Sequence, residues 1–283
     1  MKAARVVVVV WAGGVRASET ILDPQHRDIP RIWNDLAPRG TLLTRLYNNG
    51  WTNHGPALQA LATGRWEVSK YADPHPAAGR TLVDAARRHG RSTLVIGPPG
   101  KRERLLTGGE PSSIVAVDLS SDPAPFAPDE PAARIYKLRS FDRPVVTTFL
   151  ERAASWPDLS FLVFDDSDMA HQGRWSWYTA SIRQADELVW MLWQRLEADG
   201  RTDLLVFPAH GRAEPGQTRW GFMGHGREDE GCTRLWILAL GPDFAAGRTV
   251  ERRAQLIDVA PTIARILGFD FPSRGRVLRE LFV

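Results

Sequence analysis

The sequence predicts a three-layer α/β sandwich, a mainly parallel sheet with helices on both faces. Val6 to Val10 are five consecutive β-branched residues, a run that favours a buried strand. Strand-like apolar runs then alternate with helical periodicities along the whole chain, and several of those runs end in polar residues, where an α/β sheet places its chemistry. A length of 283 residues with 43% hydrophobic content suits a single domain with a large core.

Met1 to Arg5 followed by the valines has the charged-then-apolar outline of a signal peptide. The apolar part is too short for one, and Gly13-Gly14 supplies a turn, so the segment reads as the first strand. Asp28 to Leu36 has an acidic cap, an early proline and helical spacing, which predicts a short helix. Thr41 to Tyr47 is the second strand, Asn48-Asn49-Gly50 breaks it, and Pro56 to Thr63 reads as helical. Thr52 and Asn53 then stand at the mouth of a helix, where free N–H groups and the dipole attract an anion.

Residues 79–89 predict a helix and Ser92 to Gly97 a strand. The stretch 98–142 is rich in Gly, Pro, Asp and Arg, and reads as an irregular surface excursion or a cap on the single domain. Pro144 to Ala154 predicts a helix, and Leu159 to Phe164 a strand running into Asp165, Asp166, Asp168 and His171. Arg174 to Ala198 lacks Pro and Gly and repeats apolar residues at helical spacing, making it the longest helix, with Trp175, Trp177, Tyr178, Trp190 and Trp193 as core. Asp203 to Phe207 and Arg234 to Leu240 are strands, and Gln255 to Leu267 is a last helix with Pro261 near its start.

The formal charge is +3, but only four of the 36 basic residues are lysine and the arginines are scattered, which argues against a nucleic-acid partner. A single cysteine, Cys232, excludes an internal disulfide and cysteine-based zinc ligation. No run approaches the roughly 18 apolar residues of a membrane span. These features predict a soluble, cytoplasmic protein with no membrane partner.

Collected, the strand ends offer Thr52, Asn53, the Asp165-Asp166-Asp168 cluster, His171, His210 and His225. Carboxylate and imidazole are the ligands zinc takes when thiolate is missing. A lone histidine is usually structural; three that follow strands or their loops, two of them flanked by glycine, are less easily dismissed.

In order along the chain, six segments resemble the alkaline phosphatase superfamily, which includes sulfatases, nucleotide pyrophosphatases and cofactor-independent phosphoglycerate mutases. They are Val6 to Arg16, Asn48 to Gly64 around Thr52-Asn53, Asp168 to His171, Ala209-His210-Gly211, Gly224-His225-Gly226, and Ile257 to Ala264 before Leu267-Gly268. The resemblance implies an alkaline-phosphatase-like sandwich with a two-metal site, usually zinc, and a hydroxyl or modified-cysteine nucleophile attacking phosphorus or sulfur. It assigns Thr52 as nucleophile with Asn53 beside it, and Asp168, His171 and His225 as ligands of one metal. The spacing from Asp168 to His171 is one residue shorter than in several relatives, which leaves Asp165 and Asp166 open as the ligand.

The chain departs from the pattern at the other metal. Alignment on Arg16 and Glu19 puts Gly13 where the first-strand aspartate belongs, a one-residue shift puts Ala12 there, and Ala209 replaces the aspartate of Asp-His-Gly. The expectation is therefore one divalent metal and a lost second site. His210 is the candidate general base near Thr52, His54 a second one with a weaker claim, and Arg16 a candidate neutraliser of an anionic substrate. Two functions follow from this pattern: a divergent hydrolase of phosphate or sulfate esters, or an inactive relative that binds an anionic ligand or a protein partner.

Overall fold

Alternate residues of the first strand, β1 (Arg5–Trp11), enter two separate cores: Val6, Val8 and Val10 join one, and Val7, Val9 and Trp11 the other. A strand buried on both faces belongs in the middle of a covered sheet. β1 accordingly pairs in parallel with β5 (Leu159–Phe164) on one side and β6 (Thr202–Pro208) on the other. The computed structural model describes residues 3–66, 79–98, 102–108, 114–116, 140–152, 155–226 and 228–283.

The remaining described strands are β2 (Thr41–Tyr47), β3 (Thr93–Gly97), β4 (Ile114–Ala116), β7 (Arg234–Leu240), β8 (Arg248–Val250) and β9 (Ala254–Gln255). The sheet order is β4-β3-β5-β1-β6-β7-β2-β8, with β9 also pairing with β2. β7 runs antiparallel to both neighbours, β6 and β2, and the other pairings are parallel, so the sheet is mainly parallel. One face is covered by α1 (His54–Thr63), α2 (Leu82–Arg88), α3 (Arg102–Thr107) and the later α7, and the other by α4 (Asp142–Leu150) and α5 (Trp175–Asp199). α6 (Glu230–Thr233) is one short turn before β7, and α7 spans Val259–Leu267. The three-layer expectation matches this architecture.

Several elements differ from the sequence reading in instructive ways. Asp28 does not cap a helix; its carboxylate pairs with Arg183, and the turns at Ile32–Leu36 are π-helical, running into a 3-10 turn. The backbone N–H groups of Arg31 and Ile32 are instead satisfied from another element, by Asp186 of α5 at 2.9 and 2.7 Å. Pro261 sits in the first turn of α7, where its missing N–H is no loss. Trp177, Tyr178 and Trp193 are buried as expected, whereas Trp175 is exposed. Most of 98–142 lies outside the described residues; within it stand α3, β4 and the start of α4.

Asp203 lies fully buried in β6, and its Oδ1 accepts a hydrogen bond from Asp243 N. Burial, then the nearby Asp243 charge, raises its carboxyl to about 8. A carboxyl raised in the folded state contributes no penalty below its unfolded value of about 4, and destabilises progressively as pH rises from there through the folded value. Asp203→Asn keeps the acceptor and removes the titration. The variant should be more stable than the parent at pH 8 by on the order of 2 kcal/mol, with no gain at pH 4. Urea midpoints at the two pH values check this; an equal offset at both would remove titration as the cause.

Candidate functional site

The site forms where β1, β5 and β6 end side by side. β1 leaves the sheet through Ala12-Gly13-Gly14, β5 through the 3-10 turns Asp166–Gln172, and β6 through Ala209-His210-Gly211-Arg212. The loop after Arg212 folds back, because Ala213 N donates to Gly224 O at 2.8 Å and Gly226 N donates to Thr52 O at 3.0 Å. That return lays His225 beside the start of α1.

Six side chains converge there. His171 Nε2 lies 3.1 Å from His225 Nε2 and 3.1 Å from Asp168 Oδ1. His54 Nε2 lies 3.2 Å from Asp168 Oδ1 and 3.8 Å from Asp165 Oδ1. The His54 ring stands 4.7 Å from His210 and 5.0 Å from His225, between ring centroids. Three overlapping sets have ligating atoms within 4.8 Å of one another: Asp168, His171 and His225; His54, His210 and His225; and His54, Asp165 and Asp168.

The electrostatics suit a cation. His210 is fully buried, and its Nδ1 meets Gly211 O at 2.8 Å; this fixes the proton on Nδ1 and leaves Nε2 bare. Neither His210 Nε2 nor His225 Nδ1 has a hydrogen-bond partner among the described residues, although both are buried. Burial, followed by the charges of His54 and His225, pushes His210 well below the usual imidazole range. Burial, with His54, Arg212 and His171, lowers His225 to about 3. Burial alone would raise Asp168, but hydrogen bonds from His171 and His54 and the charges of His54 and Arg212 outweigh it and hold the carboxyl far below its ordinary value. The imidazoles of His210 and His225, favoured neutral, and the ionised Asp168 carboxylate are donors that fit zinc or a similar ion.

The same geometry separates the three aspartates. Asp166 points away from the cluster, accepting from Ser140 Oγ at 2.6 Å, Gln184 Nε2 at 2.6 Å and Phe141 N at 2.7 Å. Below it, Asp142 accepts from the backbone of Asp165 and Asp166 at 2.6 and 3.2 Å. The pair braces the turn that presents Asp165 and Asp168, and burial raises both carboxyls. Asp166 is thereby removed from the ligand alternatives.

Arg16, read from sequence as a substrate neutraliser, is buried and engaged elsewhere. Its guanidinium pairs with Glu19 at 2.7 and 2.9 Å and with Glu214 at 3.3 Å, and donates to Ala213 O at 2.9 Å. It ties the exit of β1 to the returning loop. Thr52 is fully buried, and its carbonyl holds Gly226; Asn53 is the extended residue before α1. The first residue of α1, and the one whose side chain enters two ligand sets, is His54.

The sequence reading did not single out Arg212. Its side chain is fully buried, and Nη2 donates to Gly13 O, to Ser167 O at 3.2 Å and to Asp168 Oδ1 at 3.1 Å. Nε donates to Gly14 O at 3.0 Å and Nη1 to Met223 O at 3.3 Å. One guanidinium thus locks the β1 exit, the β5 turn and the returning loop together while orienting a ligand candidate. An arginine directly after His-Gly at a strand end was the available signal.

At position 13 a Cβ would stand 2.4 Å from Ser167 Oγ, 2.6 Å from Asp168 N and 2.8 Å from Asp165 O. No side chain fits there without moving the β5 turn. Ala12 and Ala209 are both fully buried in the same core. Beside the cluster, at Trp51 and Gly226, opens a cleft of about 740 Å³ walled also by Tyr47, Trp66, Arg45 and Arg253.

No protein-family model matches the chain, and no curated protein matches it in sequence. Solved structures do match in shape. An alkaline phosphatase superfamily protein from Vibrio parahaemolyticus superposes with a TM-score of 0.73 at 16% identity, over 100% of this chain and 71% of the other. The lipoteichoic acid synthase LtaP from Listeria monocytogenes gives 0.73 at 10% identity, over 97% and 74%. A phosphonate monoester hydrolase of Agrobacterium radiobacter gives 0.68 at 16% identity, over 97% and 76%. Backbone agreement at such low identity is a statement about architecture, and the chain has the fold of the alkaline phosphatase superfamily.

Proposed function

We propose that the chain is a divergent hydrolase of phosphate or sulfate esters working with one divalent transition metal, zinc in the usual case. The observation that carries this reading is the convergence at the strand ends of His225 Nε2 and Asp168 Oδ1 on His171 Nε2, each 3.1 Å from it. Asp168, His171 and His225 would hold the ion, which when bound supplies Lewis-acid polarisation of the ester oxygens. Thr52 is the nucleophile in this reading, and Asn53 lies beside it at the start of α1. His210 takes the hydroxyl proton on Nε2, the nitrogen left bare by the Nδ1 contact to Gly211 O. The adjoining cleft would receive the remainder of a small anionic ester.

A second reading, an inactive relative that binds an anionic ligand or a protein partner, is favoured by one feature. The positions corresponding to the second metal's carboxylates are Ala209 and either Ala12 or Gly13, none of which can ligate.

Metal analysis of the purified protein should find at most one equivalent of a divalent transition ion; two tightly bound equivalents would overturn the assignment. Hydrolysis of aryl phosphate or aryl sulfate should fall at least ~100-fold in Thr52→Ala. An unchanged rate would remove Thr52 as nucleophile, and no turnover of either ester by the parent would favour the second reading.

A further inference from the structure

We infer that His54, His210 and His225 form a second metal seat, made only of imidazoles, which takes copper(II) and alternates with the carboxylate-bearing seat of Asp168, His171 and His225. The three rings form a nearly regular triangle, with centroids 4.7, 4.8 and 5.0 Å apart. One ligating nitrogen from each ring lies within 4.8 Å of the other two. Nitrogens about 2.0–2.1 Å from one tetrahedral ion stand roughly 3.3 Å apart, so small ring movements close the seat.

The floor of this seat carries a lone pair with nothing to receive it. His210 is fully buried, its Nδ1 meets Gly211 O at 2.8 Å, and its Nε2 has no hydrogen-bond partner among the described residues. A buried polar nitrogen in that state costs free energy, which a bound cation relieves. His54 comes from the first turn of α1, His210 from the loop after β6 and His225 from the returning loop, so only the folded chain assembles the three.

Donor chemistry separates the two seats. Imidazole suits copper, nickel and zinc, carboxylate suits harder ions, and copper(II) heads the divalent affinity order. The seats also exclude each other. His225 belongs to both, and a neutral imidazole has one lone pair to give. His54 Nε2 lies 3.2 Å from Asp168 Oδ1, so two dications held here would stand close enough to repel. The count therefore stays at one ion, and copper in the imidazole seat occupies the His210 nitrogen that serves as base in the function proposed above. The alternation rests on that reading; the imidazole seat itself does not.

The test loads the full chain with copper(II) or zinc in the parent, His54→Gln and His171→Ala, with circular dichroism to confirm that each is folded. Pulsed paramagnetic resonance of the copper-loaded parent, which needs no variant, should count three imidazoles. His171→Ala should keep copper with the parent's spectrum, while His54→Gln should lose more than the roughly 100-fold in affinity that removing a supporting partner can cost. Zinc should be weakened more by His171→Ala than by His54→Gln, and copper added to the zinc-loaded parent should release the zinc. A count of two imidazoles, with copper lost in His171→Ala and kept in His54→Gln, places copper beside Asp168; this inference then fails while the metal set above stands. A parent that binds no copper, or holds copper and zinc together, also overturns it. Zinc lost in His54→Gln but kept in His171→Ala removes the metal set above and leaves the imidazole seat standing.

Discussion

Arg212→Met should destabilise the protein by about 3–5 kcal/mol, the range for breaking a buried charge pair by removing one partner. The guanidinium is fully buried and serves five acceptors: the carbonyls of Gly13, Gly14, Ser167 and Met223 and the Asp168 carboxylate. Methionine fills part of the volume and leaves all five without that donor. Lysine restores the charge but not the planar fork, so Arg212→Lys should recover only part of the loss. Urea denaturation measures both variants. A midpoint unchanged in Arg212→Met would show that the three loops hold each other without the guanidinium.

Gly13→Asp, the substitution that would restore a carboxylate at the aligned position, should instead destabilise by about 3 kcal/mol or more through overpacking. Its Cβ would meet two backbone atoms of the β5 turn, Asp168 N and Asp165 O, neither of which is a flexible side-chain end. Gly13→Ala should already produce most of the loss, since the clash arises at the first carbon. Thermal unfolding of Gly13→Ala against the parent decides it. A melting temperature within a degree or so of the parent's would mean that the turn yields, and Gly13 would return as a possible ligand position.

Strands and histidines were legible in the sequence because their signals are local. Val6 to Val10, Leu159 to Phe164 and Arg234 to Leu240 announce themselves by composition, and the structure gives each a strand. What depends on distant partners was not legible. Asp186 caps a turn more than 150 positions away, β7 enters the sheet antiparallel, and Arg16 reads as a neutraliser of substrate charge until Glu19, Ala213 and Glu214 surround it. His54 looked like a helix-start residue because spacing alone does not reveal that the helix starts at the ends of three strands. Arg212 was hidden for the same reason, since four of its five acceptors come from before Ala209 in sequence.

The cluster is graded from wet to dry. The His171 side chain is 43% exposed, Asp168 28% and His54 13%, while His210 is sealed. Traffic with bulk solvent therefore passes over one rim. Imidazole-modifying reagents would meet His171 before His54 or His210.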